Sequence, residues 1–278
     1  MSLVATADLV ADARAHGRAV GAFNVICLEH AEAIAAGAEQ AGLAAIIAIS
    51  ENAVKFHGGT LAPIAAASAA VARASSADLA LHLDHVESDL LLHEAADHDF
   101  GSVMYDASTR PYSDNVAATR AAVRWGHERG LWVESELGEV GGKDGAHAPG
   151  VRTDPDEAAA YVDATGVDGL AVAVGSSHAM LDRSAALDHD LIARIRAAVG
   201  IPLVLHGSSG VPDDELQAAV RAGMVKVNIG TALNIVFTSA VRAKLEADHA
   251  LVDPRKYLAP ARDSMALVVA RALRVLAP

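Results

Sequence analysis

Short apolar runs alternate with alanine-rich stretches along the whole chain. Eight of the apolar runs read as β-strands: residues 19–25, 44–50, 79–85, 101–107, 131–138, 169–175, 202–207 and 224–230. They are near-continuously apolar, as parallel strands covered on both faces must be. The stretches between them carry helix signals. Asp154-Pro155-Asp156-Glu157 sets a cap, a first-turn proline and acids at a helix start. Val211-Pro212-Asp213-Asp214-Glu215 opens another. Eight strand–helix units at about 250 residues predict an α/β fold, a single (β/α)₈ TIM barrel. A doubly wound sheet is the runner-up and normally uses fewer strands at this length. Residues 1–18 predict an extra N-terminal helix that closes the bottom of the barrel, with Thr6 as its cap and Gly17 as its end. No linker or shift of composition interrupts the pattern, so residues 1–278 are expected to form one domain.

Composition narrows the function classes. The 278 residues are 52% hydrophobic, enough for a sizeable core. Net charge is −13 with no basic run, so no nucleic-acid partner is expected. An anionic substrate then needs a local site made of helix N-termini, backbone N–H groups or a metal. The single cysteine, Cys27, excludes a disulfide within the chain and fits a reducing, cytoplasmic setting. It abuts an apolar stretch and reads as a packing residue, with no base partner to make it a nucleophile. The N-terminus lacks a basic region followed by an apolar core, so no signal peptide is expected. No apolar run reaches the roughly 18 residues of a membrane span, and no membrane partner is expected.

The chemistry gathers at strand ends that feed helices, where barrel enzymes keep their sites. His85, His178 and His206 end the third, sixth and seventh predicted strands. Three imidazoles on one rim match a catalytic zinc site with an open position. Any one of them alone reads as an ordinary polar residue. The other histidines, among them His93, His98, His127 and His189, read mostly as solvated surface groups. Asp84 precedes His85 and is expected beside the metal, where a carboxylate either moves a substrate proton or orients a ligand histidine. His82 shares its strand face and reads as structural, inside the barrel. Asp106, Glu134 and Glu136 lie at neighbouring strand ends, as orienting groups or as an alternative metal position. Two glycine-containing turns, His206-Gly207-Ser208-Ser209-Gly210 and Asn228-Ile229-Gly230-Thr231, follow strands seven and eight, the usual phosphate grip of a barrel.

With these residues in place, the chain resembles the class II, metal-dependent ketose-bisphosphate aldolases, which include fructose-bisphosphate and tagatose-bisphosphate aldolases. The resemblance runs from Ala22-Phe23-Asn24 through Leu-His-Leu-Asp84-His85, Val-Glu-Ser-Glu136-Leu-Gly, Gly141-Gly142 and Gly175-Ser-Ser-His178 to Leu-His206-Gly-Ser-Ser and Lys226-Val-Asn228-Ile-Gly-Thr231. The tail Asp253-Pro-Arg-Lys-Tyr-Leu also fits. It implies a lyase of carbohydrate metabolism, of the glycolytic type, acting on a sugar phosphate. It implies zinc (Zn2+) on His85, His178 and His206, with Asp84 as acid/base for the C4 hydroxyl. Asp106 and Glu136 match acids at a secondary metal position. Gly207, Ser208 and Ser209, with Asn228, Ile229, Gly230 and Thr231, match segments that hold dihydroxyacetone phosphate. Asn24 and Ser50 match residues near the aldehyde half. The resemblance further implies a sodium or potassium ion (Na+ or K+) near the phosphate and a homo-oligomer, a homodimer or homotetramer.

Three positions depart from the family pattern. Lys143-Asp144 replaces glutamates in the glycine-rich loop 141–153, which reads as a functional lid. Asp144 stands where the loop's proton-transfer carboxylate is expected and is one methylene shorter. Ala179 replaces a common glycine after the second zinc histidine, where the backbone helps bind phosphate. Gly230 replaces an acid seen in many glycolytic members. These changes fall on substrate and proton-transfer positions while the metal set is intact, so they bear on the sugar and not on the metal aldolase reading; fructose 1,6-bisphosphate is the expected substrate and another ketose phosphate, such as tagatose 1,6-bisphosphate, the alternative. A non-catalytic sugar-phosphate binder is favoured by Lys143-Asp144 and opposed by Asp84. A barrel hydrolase is opposed by the lack of a first-strand histidine.

Overall fold

A computed structural model describes residues 3–138, 152–176 and 183–278. The expected lid positions 141–151, with Asp144, lie outside the described residues, as do His178 and Ala179. Eight strands form a closed parallel barrel in chain order: β1 (Val20–Asn24), β2 (Ala45–Ser50), β3 (Leu79–Val86), β4 (Ser102–Tyr105), β5 (Trp132–Glu136), β6 (Gly169–Ala171), β7 (Leu203–Leu205) and β8 (Met224–Ile229). Pairing of β1 with β8 closes it. The flanking helices are α1 (Thr6–Ala15), α2 (Leu28–Ala41), α3 (Glu51–Phe56), α4 (Ala62–Ala74), α5 (Asp89–Glu94) and α6 (Tyr112–His127). Then come α7 (Pro155–Thr165), α8 (His189–Val199), α9 (Asp213–Ala222), α10 (Thr231–Ala247) and α11 (Arg255–Leu276). Among the described residues, no helix is long and apolar enough to cross a membrane.

All eight expected strands are present, most of them shorter than the apolar run. The sixth shows why. After Val172, whose N–H still reaches Val204 O of β7 (3.2 Å), the backbone turns to loop partners: Ala173 O accepts from Thr153 N (2.9 Å) and Val174 O from Asp188 N (2.9 Å). An apolar run records burial, whereas a strand ends where the ladder does.

Strand alternation divides the barrel into two cores. Outward residues such as Phe23, Ile47, Leu81, Val133 and Val227 pack with the helices. Inward residues Val20, Ile46, Ala80, Met104, Trp132 and Val204 form a separate apolar floor. Leu9, Val10 and Ala13 of α1 plug that floor from below, as expected. Thr6 does not cap α1. Ala5 holds the cap position, and the Thr6 hydroxyl lies 2.7 Å from Ser102 Oγ inside the barrel. Gly17 follows the helix with a φ of 65°, in the left-handed region that favours glycine. The Asp154 carboxylate caps α7 by accepting from Asp156 N and Glu157 N. At α9, by contrast, Pro212 takes the cap position with no side-chain bond. The acids there make tertiary bonds instead: Asp213 binds Arg183 and also Arg271 of α11, and Glu215 accepts from Leu187 N.

Above the floor the inward positions turn polar: His82, Glu134 and Lys226, then Asn24, Asp84, Glu136, His206 and Asn228. Lys226 Nζ meets Glu134 Oε2 at 2.7 Å, and both side chains are fully buried. Burial pushes the Glu134 carboxyl up, but the Lys226 charge and the His206 hydrogen bond outweigh it and bring it down to about 2. His82 is fully buried and bonds Ser102 Oγ at 2.8 Å, matching its expected interior place.

Lys226→Met is expected to strand the Glu134 charge and lower the unfolding free energy by about 3–5 kcal/mol. Adding Glu134→Gln removes that stranded charge and should recover part of the loss in denaturant titrations. Equal stability of the single variant and the wild type would contradict this account of the interior.

Candidate active site

Asp84 and His85 are adjacent in β3, so regular alternation would put them on opposite faces of the sheet. The backbone solves this at His85, which has a φ of 50°. A non-glycine residue there carries strain and needs support. The β3–β4 register shifts between Leu83 and Val86, and Val86 still pairs with Tyr105. The Glu51 carboxylate of α3 accepts from Glu87 N (2.7 Å) and Ser88 N (3.2 Å), holding the exit of β3. His85 therefore belongs to a bulged strand rather than to the turn after it. Both side chains of the pair then face one cleft.

That cleft holds about 290 Å³ on the rim formed by the C-terminal strand ends. Its walls include Asn24, Ser50, Asp84, His85, His206, Gly207, Ser208, Ser209, Asn228, Gly230 and Thr231. Of the expected substrate residues among the described ones, only Ile229 is absent from the wall. Its side chain points outward into the helix-facing core, as alternation with Asn228 requires.

Two carboxylates set the histidine tautomers. Asp106 Oδ2 lies 2.8 Å from His85 Nδ1, and Glu134 Oε1 lies 2.8 Å from His206 Nε2. An ionised carboxylate only accepts, so each of these ring nitrogens carries its hydrogen. The inner nitrogens, His85 Nε2 and His206 Nδ1, face each other at 3.0 Å. Such a pair calls for a shared proton or a cation. Burial lowers the His206 pKa, against the Glu134 hydrogen bond that raises it, which keeps the ring in its neutral, metal-ligating form. Asp84, His85 and His206 bring one ligand atom each within 4.8 Å of one another. His85, Asp106 and Glu136 form a second such group, with His85 common to both. Two imidazoles backed by carboxylates, with a further carboxylate alongside, are a donor set that fits zinc.

Asp84 is held as a carboxylate. Asn24 Nδ2 donates to its Oδ2 at 2.8 Å and Asn228 Nδ2 to its Oδ1 at 3.2 Å. Burial pushes its pKa up, but the His85, His82 and His206 rings packed around it outweigh that and hold it well below the usual range. Asn24 in turn depends on Gly230, where a Cβ would stand 2.9 Å from Asn24 Oδ1. The Ser50 hydroxyl accepts from Ala53 N and caps α3. Ser208 Oγ donates to Asn228 O, and Ser209 Oγ accepts from Ala232 N, so the turns after β7 and β8 are tied together.

Sequence reasoning gave Lys226 no role. It bonds Glu134 and also Asn228 Oδ1 (2.6 Å), so it links the partner of His206 to a partner of Asp84. Its spacing of two from Asn228 was the available signal. Cys27 also differs from expectation: His30 Nδ1 lies 3.1 Å from its sulfur. His30 is buried rather than solvated, and His189 is half-buried, 3.4 Å from Glu215 Oε2.

The family model for class-II fructose-bisphosphate aldolase matches residues 4–277. A fructose-bisphosphate aldolase of Geobacillus stearothermophilus is 38% identical over 277 residues, covering 99% of this chain and 96% of the relative. One from Staphylococcus aureus is 37% identical over 268 residues, covering 95% and 94%. The crystal structure of the YdjI aldolase of Escherichia coli K12 superposes with a TM-score of 0.84 at 29% identity, covering 99% of this chain and 97% of that one. The family is one of aldehyde-lyases and is generally zinc-dependent. With a closed barrel, paired imidazoles and a flanking carboxylate on its rim, and a match over nearly its whole length, this chain belongs to the class II fructose-bisphosphate aldolase family.

Proposed function

We propose that this chain is a zinc-dependent aldolase that reversibly cleaves fructose 1,6-bisphosphate to dihydroxyacetone phosphate and glyceraldehyde 3-phosphate. The observation that carries this reading is Asp84, an ionised carboxylate fixed by two amides beside the paired imidazoles of His85 and His206. His85, His178 and His206 are the proposed zinc ligands, and Asp106 and Glu136 a secondary position for the metal. Zinc, when bound, supplies Lewis-acid stabilisation of the charge left on the dihydroxyacetone half. Asp84 accepts the C4-hydroxyl proton as the C3–C4 bond breaks, and returns it in condensation. The electron pair of that bond passes to C3, which a second carboxylate must protonate; Asp144 is the proposed donor. Asn24 and Asn228 hold Asp84 on the hydroxyl.

Gly207, Ser208, Ser209 and the segment from Asn228 to Thr231 border the cleft where α10 begins, and Ile229 has only its backbone to offer. N–H groups and hydroxyls there suit a phosphate. A sodium or potassium ion near that phosphate, Ala179 beside it and Ser50 toward the aldehyde half complete the reading. The chain acts as one domain in a cytoplasmic homodimer or homotetramer.

Chelation should abolish cleavage of fructose 1,6-bisphosphate, and added zinc should restore it, with triose phosphate as the readout. Zinc-loaded protein that turns over tagatose 1,6-bisphosphate faster would reassign the substrate. Asp84→Ala should lower kcat by about 100- to 10,000-fold while zinc content stays at the wild-type level. Unchanged turnover removes Asp84 from the mechanism. His206→Ala should lose zinc by elemental analysis, and full occupancy would overturn the ligand set.

A further inference from the structure

Cys27 and His30 lie outside the reacting groups, at the start of α2, yet their hydrogen bonds end on the cleft. Cys27 Sγ is 3.1 Å from His30 Nδ1, and His30 Nε2 is 3.2 Å from Asn234 Oδ1. The His30 ring is 3% exposed and stacks on Phe237, with centroids 5.5 Å apart. Phe237 follows Asn234 by three residues on α10, so both meet the same ring. The imidazole is held at both nitrogens and on one face.

The direction of each bond follows from chemistry. Burial pushes the Cys27 thiol up to about 12, and the Glu29 side chain adds to the rise, so the sulfur keeps its hydrogen. Burial lowers the His30 pKa against the Asn234 bond that raises it, which keeps the ring neutral. A neutral imidazole accepts at one nitrogen and donates at the other. Asn234 presents Oδ1, an acceptor, to Nε2, so Nε2–H donates there and the neutral ring accepts at Nδ1, where the Cys27 thiol lies. Asn234 is left with its NH₂ group to offer. The residue is part of the cleft wall, one helical turn after Thr231, which is on the same wall. An acceptor oxygen entering the cleft is the partner that this amide suits.

We infer that Asn234 is a substrate-contacting residue that donates its side-chain NH₂ to a phosphate or hydroxyl oxygen of the ketose phosphate, with His30 and Cys27 as positioning residues behind it. The inference rests on the aldolase reading and adds a recognition element to the same cleft. It assigns the cysteine a hydrogen-bonding part and no covalent one.

Asn234→Ala is expected to raise KM for fructose 1,6-bisphosphate about tenfold with a smaller change in kcat. Calorimetry with dihydroxyacetone phosphate then locates the contact. An affinity weakened to the same degree places it on that half. An unchanged affinity with a raised KM for glyceraldehyde 3-phosphate in condensation places it on the aldehyde half. Either outcome supports the contact, and unchanged constants in all three measurements overturn it. His30→Leu should raise KM as Asn234→Ala does, and the double variant should add little. His30→Gln, with an amide that can donate to Asn234 Oδ1, should restore most of the loss. Cys27→Ala should raise KM, and Cys27→Ser should bring it back toward the wild-type value. Additive effects of His30→Leu and Asn234→Ala would overturn the positioning role. Wild-type protein that neither cleaves fructose 1,6-bisphosphate nor binds dihydroxyacetone phosphate would overturn the aldolase reading and this inference with it. An active wild type with an unaltered Asn234→Ala variant would overturn the inference alone.

Discussion

Lys226 and Glu134 meet at 2.7 Å in a barrel interior where both are fully buried. A charge placed there alone would cost several kcal/mol. Each therefore has a second bond as well as its counter-charge. Glu134 spends its other oxygen on His206, and Lys226 reaches Asn228. Asn228 in turn donates to Asp84. His206 and Asp84 thus belong to one interior network. Its members are fixed by the need to satisfy every buried polar atom as much as by the chemistry above them.

The network works because the barrel is graded along its axis. The lower inward positions are apolar and capped by α1, so the floor is a buried apolar cluster. The upper inward positions carry the polar groups, and the cleft opens above them. A rigid floor lets the rim hold groups in conformations that are costly alone. The left-handed His85 is the clearest case. Its φ of 50° turns two adjacent residues toward one site, and a bulged register and the Glu51 carboxylate hold it there. A regular strand offers one inward group for every two residues, whereas this one offers Asp84 and His85 together.

Outside that network, support comes from helices that are distant in sequence. Asn115 of α6 donates to Glu136 O and Leu137 O, fixing the exit of β5. Its own Oδ1 accepts from Tyr161 OH of α7 and from Thr119. On the opposite side, His30 of α2 bonds Asn234 of α10. The helices act as more than a hydrophobic jacket, since several rim positions are set by hydrogen bonds reaching in from the helical layer.

The periodic features of this protein were legible in its chain. Eight apolar runs, the inward series His82–Asp84 and Glu134–Glu136, the Asp154 cap and the small-residue turns after Leu205 and Asn228 all follow from local geometry. Period two and period 3.6 are properties of neighbouring residues, so they can be read without knowing the fold. The pairings were not legible. Thr6 reads as a helix cap and becomes a partner of Ser102, and Cys27 reads as solitary and meets His30. Lys226 reads as one more residue of an apolar strand and becomes a link between Glu134 and Asn228. Sequence alone determined the strand count, the barrel and the kinds of group on its rim. Tertiary structure alone decided which of them touch, because barrel closure joins residues far apart in the chain, and burial then favours those polar atoms that find a partner among whatever closure has brought near.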